Sequence, residues 1–162
     1  MTTDQFIKEL EEEAVATRKC LANITEDKFE FKPHPTSTNM GYLAMLVAEI
    51  PLWITYMVKE GAIEFSTFKH QEIKTNSDLT KSFEENLTGA LQALKNATDE
   101  QLNKIFELKA NGQLLYSQKV MDYIGPTINH WVHHRGQLTV YMRICGIKVP
   151  SIYGPSADDK NY

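Results

Sequence analysis

The sequence predicts an all-α protein built as an antiparallel four-helix bundle. Three observations support this fold class: four long segments carry apolar residues at helical spacings, no segment repeats, and there is no run of alternating strands. We expect a single domain over residues 1–162, because 162 residues of 42% apolar composition are enough for one buried core.

Each of the four helical segments has an apolar stripe at spacings of three and four residues. The first and third also carry charged residues on the opposite face, as surface helices of a bundle do. Pro51 and Pro126 lie within the second and fourth, where the missing backbone donor predicts kinks. The segments cover about residues 4–22, 40–58, 77–94 and 119–145.

The connection between the third and fourth helices is predicted to be a long crossover with structure of its own. Thr98 to Gln101 matches a capping box, so a short helix is expected to run to about Phe106. Asn111-Gly112, between apolar flanks, predicts the turn of a small β-hairpin over residues 107–116.

The C-terminal tail is predicted to fold back along the bundle. Pro150 and Pro155 prevent the segment 149–155 from continuing a helix. Ile152 and Tyr153 are apolar enough to dock on the helices.

The charge balance excludes one class of partner. The net charge of −4 and the absence of a run rich in Lys or Arg argue against a nucleic-acid surface, which needs clustered cations to neutralise phosphates. The first residues do not resemble a signal peptide, and the longest apolar segment is interrupted by Glu49 and Pro51, so no membrane contact is expected. We therefore expect a soluble, cytoplasmic protein, with Cys20 and Cys145 as buried, reduced thiols.

Three of the five histidines lie between residues 130 and 134 on the last predicted helix. His130 and His134 are four residues apart, so they lie about 40° apart on one helix face and their imidazoles can point at one atom. His133 projects about 100° away from His134, and we expect it to stay outside the pair. The pair is therefore a candidate for half of a metal site, which helix bundles commonly build from facing helices.

The same histidines are also compatible with a structural role, hydrogen-bonded within the core or directed to solvent. The pattern is not HExxH, because Trp131 stands where the glutamate base would be. This excludes the zincin type of metalloprotease.

Beyond the spacing, the chain resembles a known family. Residues 129–143, NHWVHHRGQLTVYMR, followed by 146–158, GIKVPSIYGPSAD, are similar to the C-terminal signature of the DinB family, damage-inducible bundle proteins related to the YfiT-like metal-dependent hydrolases. Upstream, the segments FKPHP, GYLA and AEIP and the residue Trp53 resemble the loop and second helix of the family. The resemblance covers most of the chain.

This resemblance implies a divalent-metal site, for nickel or zinc, with one histidine from the second helix and two from an HxxxH on the last. His130 and His134 match the HxxxH, but Leu46 stands where the second-helix histidine is usual. Glu49 lies one turn further on and is a substitute ligand by helical spacing. We expect His130 and His134 to be the remnant of a degenerate site.

Two functions stay open at this point. The resemblance implies a metal-dependent hydrolase or a thiol-dependent transferase, in which the histidines hold the ion. The alternative is a non-catalytic, stress-associated protein that binds a small molecule near His130. A homodimer is also implied by the resemblance.

Overall fold

The structure, a computed structural model, describes residues 2–161 and places five α-helices and three β-strands in that range. The four predicted long helices are all present, and so is the short one. The short helix ends at Asn103, because Phe106, where we expected its end, belongs to a strand. The elements are α1 Thr3–Asn23, α2 Met40–Lys59, β1 Ala62–Glu64, α3 Asn76–Lys95, α4 Asp99–Asn103, β2 Ile105–Ala110, β3 Gln113–Lys119 and α5 Val120–Ile144, with a single 3-10 turn, Glu26–Lys28, between α1 and α2.

Side-chain caps define where four of these helices begin. Thr2, Thr75 and Thr98 form capping boxes, in which the threonine hydroxyl accepts from a backbone N–H and the third helical residue bonds back. At the start of α2, Asn39 Oδ1 accepts a hydrogen bond of 2.8 Å from Tyr42 N. These bonds satisfy backbone donors that have no partner within the helix.

The predicted hairpin is present and is part of a small sheet. Asn111 and Gly112 have φ angles of 52° and 75° and turn β2 into antiparallel β3. The all-α prediction is corrected by a third strand, since β1 pairs in parallel with β2. With three residues, β1 is too short to show a periodicity in the sequence. The Glu64 carboxylate connects β1 to the hairpin turn, because it accepts hydrogen bonds from the N–H groups of Asn111 and Gly112.

Two pairs of helices run in opposite directions, as predicted. Asn76, at the start of α3, donates to Leu21 O near the end of α1 at 2.7 Å. Tyr141 OH, near the end of α5, donates to Thr38 O just before α2, while the rings of Trp53 on α2 and His130 on α5 lie 5.5 Å apart. Helices α1 and α3 are therefore antiparallel, and so are α2 and α5.

The antiparallel prediction is wrong for two pairs of helices, α1 with α5 and α2 with α3, whose members run in the same direction. Asn86 Nδ2 donates to Ala48 O at 3.0 Å, and one to two turns later Gly89 lies against Thr55. Residues 60–75 consequently return along the whole length of α2 before α3 begins, and we call this segment the return loop.

The core is formed by side chains from all four long helices. Helix α2 contributes most, and by length and composition it could cross a membrane, but 67% of its most apolar window is buried in the structure, as in the core helix of a soluble protein. Representative fully buried core residues are Leu10, Met40, Ile54, Phe83, Ile128 and Trp131.

The C-terminal tail packs along α1 and α5, as predicted. Asn23 Nδ2 on α1 donates to Lys148 O at 3.0 Å, and Ser151 is buried. Ile152 packs on the core, whereas Tyr153 remains 63% exposed and reaches α5 through its hydroxyl, which accepts from Arg135 Nη2.

Candidate functional site

His130 and His134 form a hydrogen-bonded pair on α5. Their Nε2 atoms are 2.8 Å apart and their ring centroids 4.5 Å apart. Gln137 Oε1 lies 2.8 Å from His134 Nδ1, and a carbonyl oxygen can only accept, so His134 Nδ1 carries the proton. In the neutral pair, His130 Nε2–H therefore donates to the lone pair of His134 Nε2.

The surroundings of His130 favour its neutral form. Partial burial of the ring, and then the neighbouring His134 and His133, lower the pKa of His130 below its ordinary value. The indole of Trp53, tilted by 49° at 5.5 Å, supplies part of this covering. His133 lies outside the pair, with its ring 5.4 Å from that of His134.

The two residues of α2 considered for the third ligand position do not complete the site. Leu46 is half-buried and packs against the core. Glu49 is fully buried, and its carboxylate accepts from His70 Nδ1 at 2.8 Å, Gln71 N at 3.2 Å and Trp53 Nε1 at 3.4 Å. The role of third ligand that helical spacing suggested for Glu49 is therefore unsupported, because the return loop occupies its oxygens.

This donor set does not fit a metal centre with three protein ligands. Over residues 2–161, no three His, Cys, Asp or Glu side chains are grouped so that they could hold one ion. Catalytic zinc sites keep three protein ligands and one open position. His130 and His134 supply two imidazoles, and the apolar side chain of Leu46 supplies none.

Sequence reasoning assigned no role to His70, an exposed residue of the return loop. Its Nδ1 faces the buried carboxylate of Glu49, and its ring packs edge-on against Tyr42 and Phe68. The one signal in the sequence was the pair of aromatic residues Phe65 and Phe68 within an otherwise polar segment. No periodicity connects His70 to Glu49, which lies 21 residues away.

The two cysteines do not supply a reactive thiolate. Burial raises the pKa of Cys20 to about 11 and is also the main cause of the raised pKa of Cys145. Cys20 is buried as predicted, whereas Cys145 is only half-buried. A nucleophilic cysteine needs the opposite shift.

The helical core and the HxxxH pair on its last helix define a small DinB-like protein. The chain belongs to the DinB family, whose model matches residues 1–161, and this confirms the resemblance seen in the sequence.

Relatives and solved structures agree with this assignment. The chain is 30% identical to Bacillus subtilis (strain 168) YrdA, over 98% of this chain and 92% of that protein, and 27% identical to YjoA of the same strain, over 80% and 82%. Two crystal structures share the fold at a TM-score of 0.72 and 22% identity: the DinB-like YjoA of B. subtilis, covering 91% of this chain and 97% of that one, and a DinB-like protein of Bacillus cereus ATCC 10987, covering 93% and 97%.

Proposed function

We propose that this DinB-family protein binds a small molecule at the His130–His134 pair and is not a three-ligand metalloenzyme. The observation that carries the proposal is the 2.8 Å contact between the two Nε2 atoms, which satisfies the imidazoles with each other. A ligand can replace this internal bond, because each ring then offers its nitrogen to the guest.

The chemistry of the pair favours a ligand with a hydroxyl group. A hydroxyl both donates and accepts, so it can donate to His134 Nε2 while it accepts from His130 Nε2–H. The ring of Trp53 lies 5.5 Å from that of His130 but is itself buried, so a guest contacts the imidazoles and not the indole. The ligand class is thus a small molecule that carries a hydroxyl group.

Metal analysis tests this proposal directly. After dialysis against a weak chelator, the purified protein should contain far less than one zinc or nickel ion per chain. An ion that binds only the native state raises the apparent thermal stability of the protein. In a titration with Zn²⁺ or Ni²⁺, the unfolding temperature of the wild type should therefore rise no more than that of His130→Ala. Near-stoichiometric metal that is lost in His130→Ala would overturn the proposal.

A second candidate is the metal-dependent hydrolase or thiol-dependent transferase that the family resemblance implies. The convergence of both Nε2 atoms favours it, since two ligands of one ion must converge in this way. Water or substrate would then have to supply the remaining ligands. The outcome that overturns the first proposal supports this one.

We also propose that the protein acts as a cytoplasmic homodimer without a nucleic-acid partner. The supporting observations are the net charge of −4 and exposed apolar side chains on α1 and α5, namely Val15, Val140 and Ile144.

A further inference from the structure

A cavity of about 310 Å³ lies beside the N-terminal half of α2. His70, which bonds to Glu49, is one of its lining residues. The walls of the cavity come from three parts of the chain: the loop before α2, the first turns of α2, and the return loop. The apolar lining consists of Phe29, Tyr42, Met45 and Ile73, and His70 lies among them. This volume is at the lower end of the range for small-molecule sites, so a single aromatic ring is the size of guest that it suits.

His70 is held in one orientation at this cavity. Its Nδ1 lies 2.8 Å from Glu49 Oε1, and the Glu49 side chain is fully buried. The edges of Tyr42 and Phe68 pack against the imidazole at centroid distances of 5.8 and 5.5 Å. A buried carboxylate that receives Nδ1–H fixes both the ring and its tautomer, as it does for functional histidines generally.

This orientation leaves the second ring nitrogen available. With Nδ1–H donated to Glu49, the neutral ring carries its lone pair on Nε2, which has no hydrogen-bond partner within residues 2–161. The side chain of His70 is 35% exposed, so a guest can reach it. The Glu49–His70 pair is thus a fixed hydrogen-bond acceptor at the edge of an apolar cavity.

Charge at the cavity narrows the class of ligand. Glu30 also lines it, where its Oε2 accepts from Asn39 Nδ2 at 3.2 Å. The negative charge of Glu30 would repel a carboxylate or phosphate guest, whereas it would not repel a neutral hydroxyl compound.

We propose that the cavity is a second small-molecule site, in which His70 Nε2 accepts a hydrogen bond from the hydroxyl of a neutral aromatic compound. This site is distinct from the His130–His134 pair and does not depend on what that pair binds. Glu49 acts as a positioning residue, because it touches His70 and not the guest.

A pair of matched probes tests the hydrogen bond without altering the protein. 4-Fluorophenol and 4-fluoroanisole have similar rings, but only the phenol can donate. Titration followed by ¹⁹F NMR should show the phenol binding about fivefold more tightly, as expected for one hydrogen bond. Equal binding of the two probes, or binding of neither, would overturn the proposal.

Substitutions then locate the site. Because the histidine pair on α5 is also proposed to take a hydroxyl group, these variants are made in a His130→Ala protein, where that pair is absent. His70→Phe keeps a ring in the aromatic packing but removes the acceptor, so it should erase the preference for the phenol that remains in His130→Ala, and Glu49→Gln should reduce it. His34→Gln, at an exposed histidine whose side chain bonds to Thr36, should leave it unchanged. If His130→Ala shows no preference for the phenol, the phenol occupies only the α5 pair and the second site is refuted.

Discussion

Arg135 on α5 and Glu13 on α1 form an ion pair inside the protein, with Arg135 Nη2 2.6 Å from Glu13 Oε2 and only 1% of the arginine side chain exposed. Arg135 Nη1 also donates to the backbone oxygen of Glu13 and to Thr17 Oγ1. The Tyr153 hydroxyl lies 2.9 Å from both carboxylate oxygens of Glu13. One residue of the histidine-rich segment thus joins the first helix, the last helix and the tail.

Glu13→Ala should lower the free energy of unfolding by about 3 kcal/mol, because it leaves a buried guanidinium without its counter-charge. Arg135→Met should cost less, since it removes the buried charge and keeps an apolar side chain of similar length. Urea unfolding monitored by circular dichroism measures both. Glu12→Ala is the matched control: Glu12 pairs with Lys8 at the surface and should change stability by less than about 1 kcal/mol. A Glu13→Ala protein as stable as this control would contradict the expectation.

Leu46→His should create a three-histidine metal site. The substitution supplies the second-helix imidazole that the family resemblance implies, and α2 lies antiparallel to α5 beside the existing pair. By isothermal titration calorimetry, Zn²⁺ or Ni²⁺ should bind this variant at least about 100-fold more tightly than the wild type.

Adding His130→Ala to Leu46→His should remove that gain. If wild type and Leu46→His bind the ions equally, position 46 does not face the histidine pair, and the comparison of the site with the family fails.

The lowered pKa of His130 predicts a pH dependence of stability. Because the unfolded state takes up this proton more readily than the folded state, stability is unaffected above the unfolded pKa of about 6.5 and declines as the pH falls through the folded pKa. The loss should be less than about 1 kcal/mol, since solvent reaches the ring.

Urea unfolding at pH 7.5 and 5.5 checks this effect. His130→Asn should lose less stability between the two pH values than the wild type, and His34→Asn should behave as the wild type does. A larger loss of stability in His130→Asn than in the wild type would contradict the prediction.

The homodimer prediction is tested by light scattering coupled to size-exclusion chromatography. The wild type should have twice the mass of the 18.5 kDa chain. Val140→Glu and Ile144→Glu, both at positions 57% exposed, should give monomers that remain folded, because neither side chain belongs to the core. Thr88→Glu, at an exposed position on α3, is the control. A monomeric wild type would refute the prediction.

The sequence revealed most of the helices because an apolar stripe is a local property. The stripes of α2 and α3 are visible without knowledge of any partner. Their parallel direction was not visible, since it depends on the path of the return loop. Strand β1 escaped for a related reason: its three residues acquire their conformation from pairing with β2, 45 residues away between Ala62 and Glu107.

The candidate site likewise has a local part that the sequence predicts and a tertiary part that it does not. The juxtaposition of His130 and His134 follows from their spacing on one helix, and sequence reasoning found it. The contact of Glu49 with His70 is tertiary, so the sequence could not show that the Glu49 carboxylate already has a hydrogen-bond partner. Helical spacing shows which residues share a helix face, but it does not show which of their side chains have hydrogen-bond partners elsewhere in the chain.

The parallel pairing of β1 with β2 has a consequence for the order of folding. A parallel pair cannot close as a hairpin, and here both α3 and α4 lie between its strands. Contacts between residues far apart in sequence carry a larger entropic cost and form slowly. We therefore expect the return loop to become protected from hydrogen exchange only after the helices have docked. The contact of His70 with Glu49 should form at the same late stage.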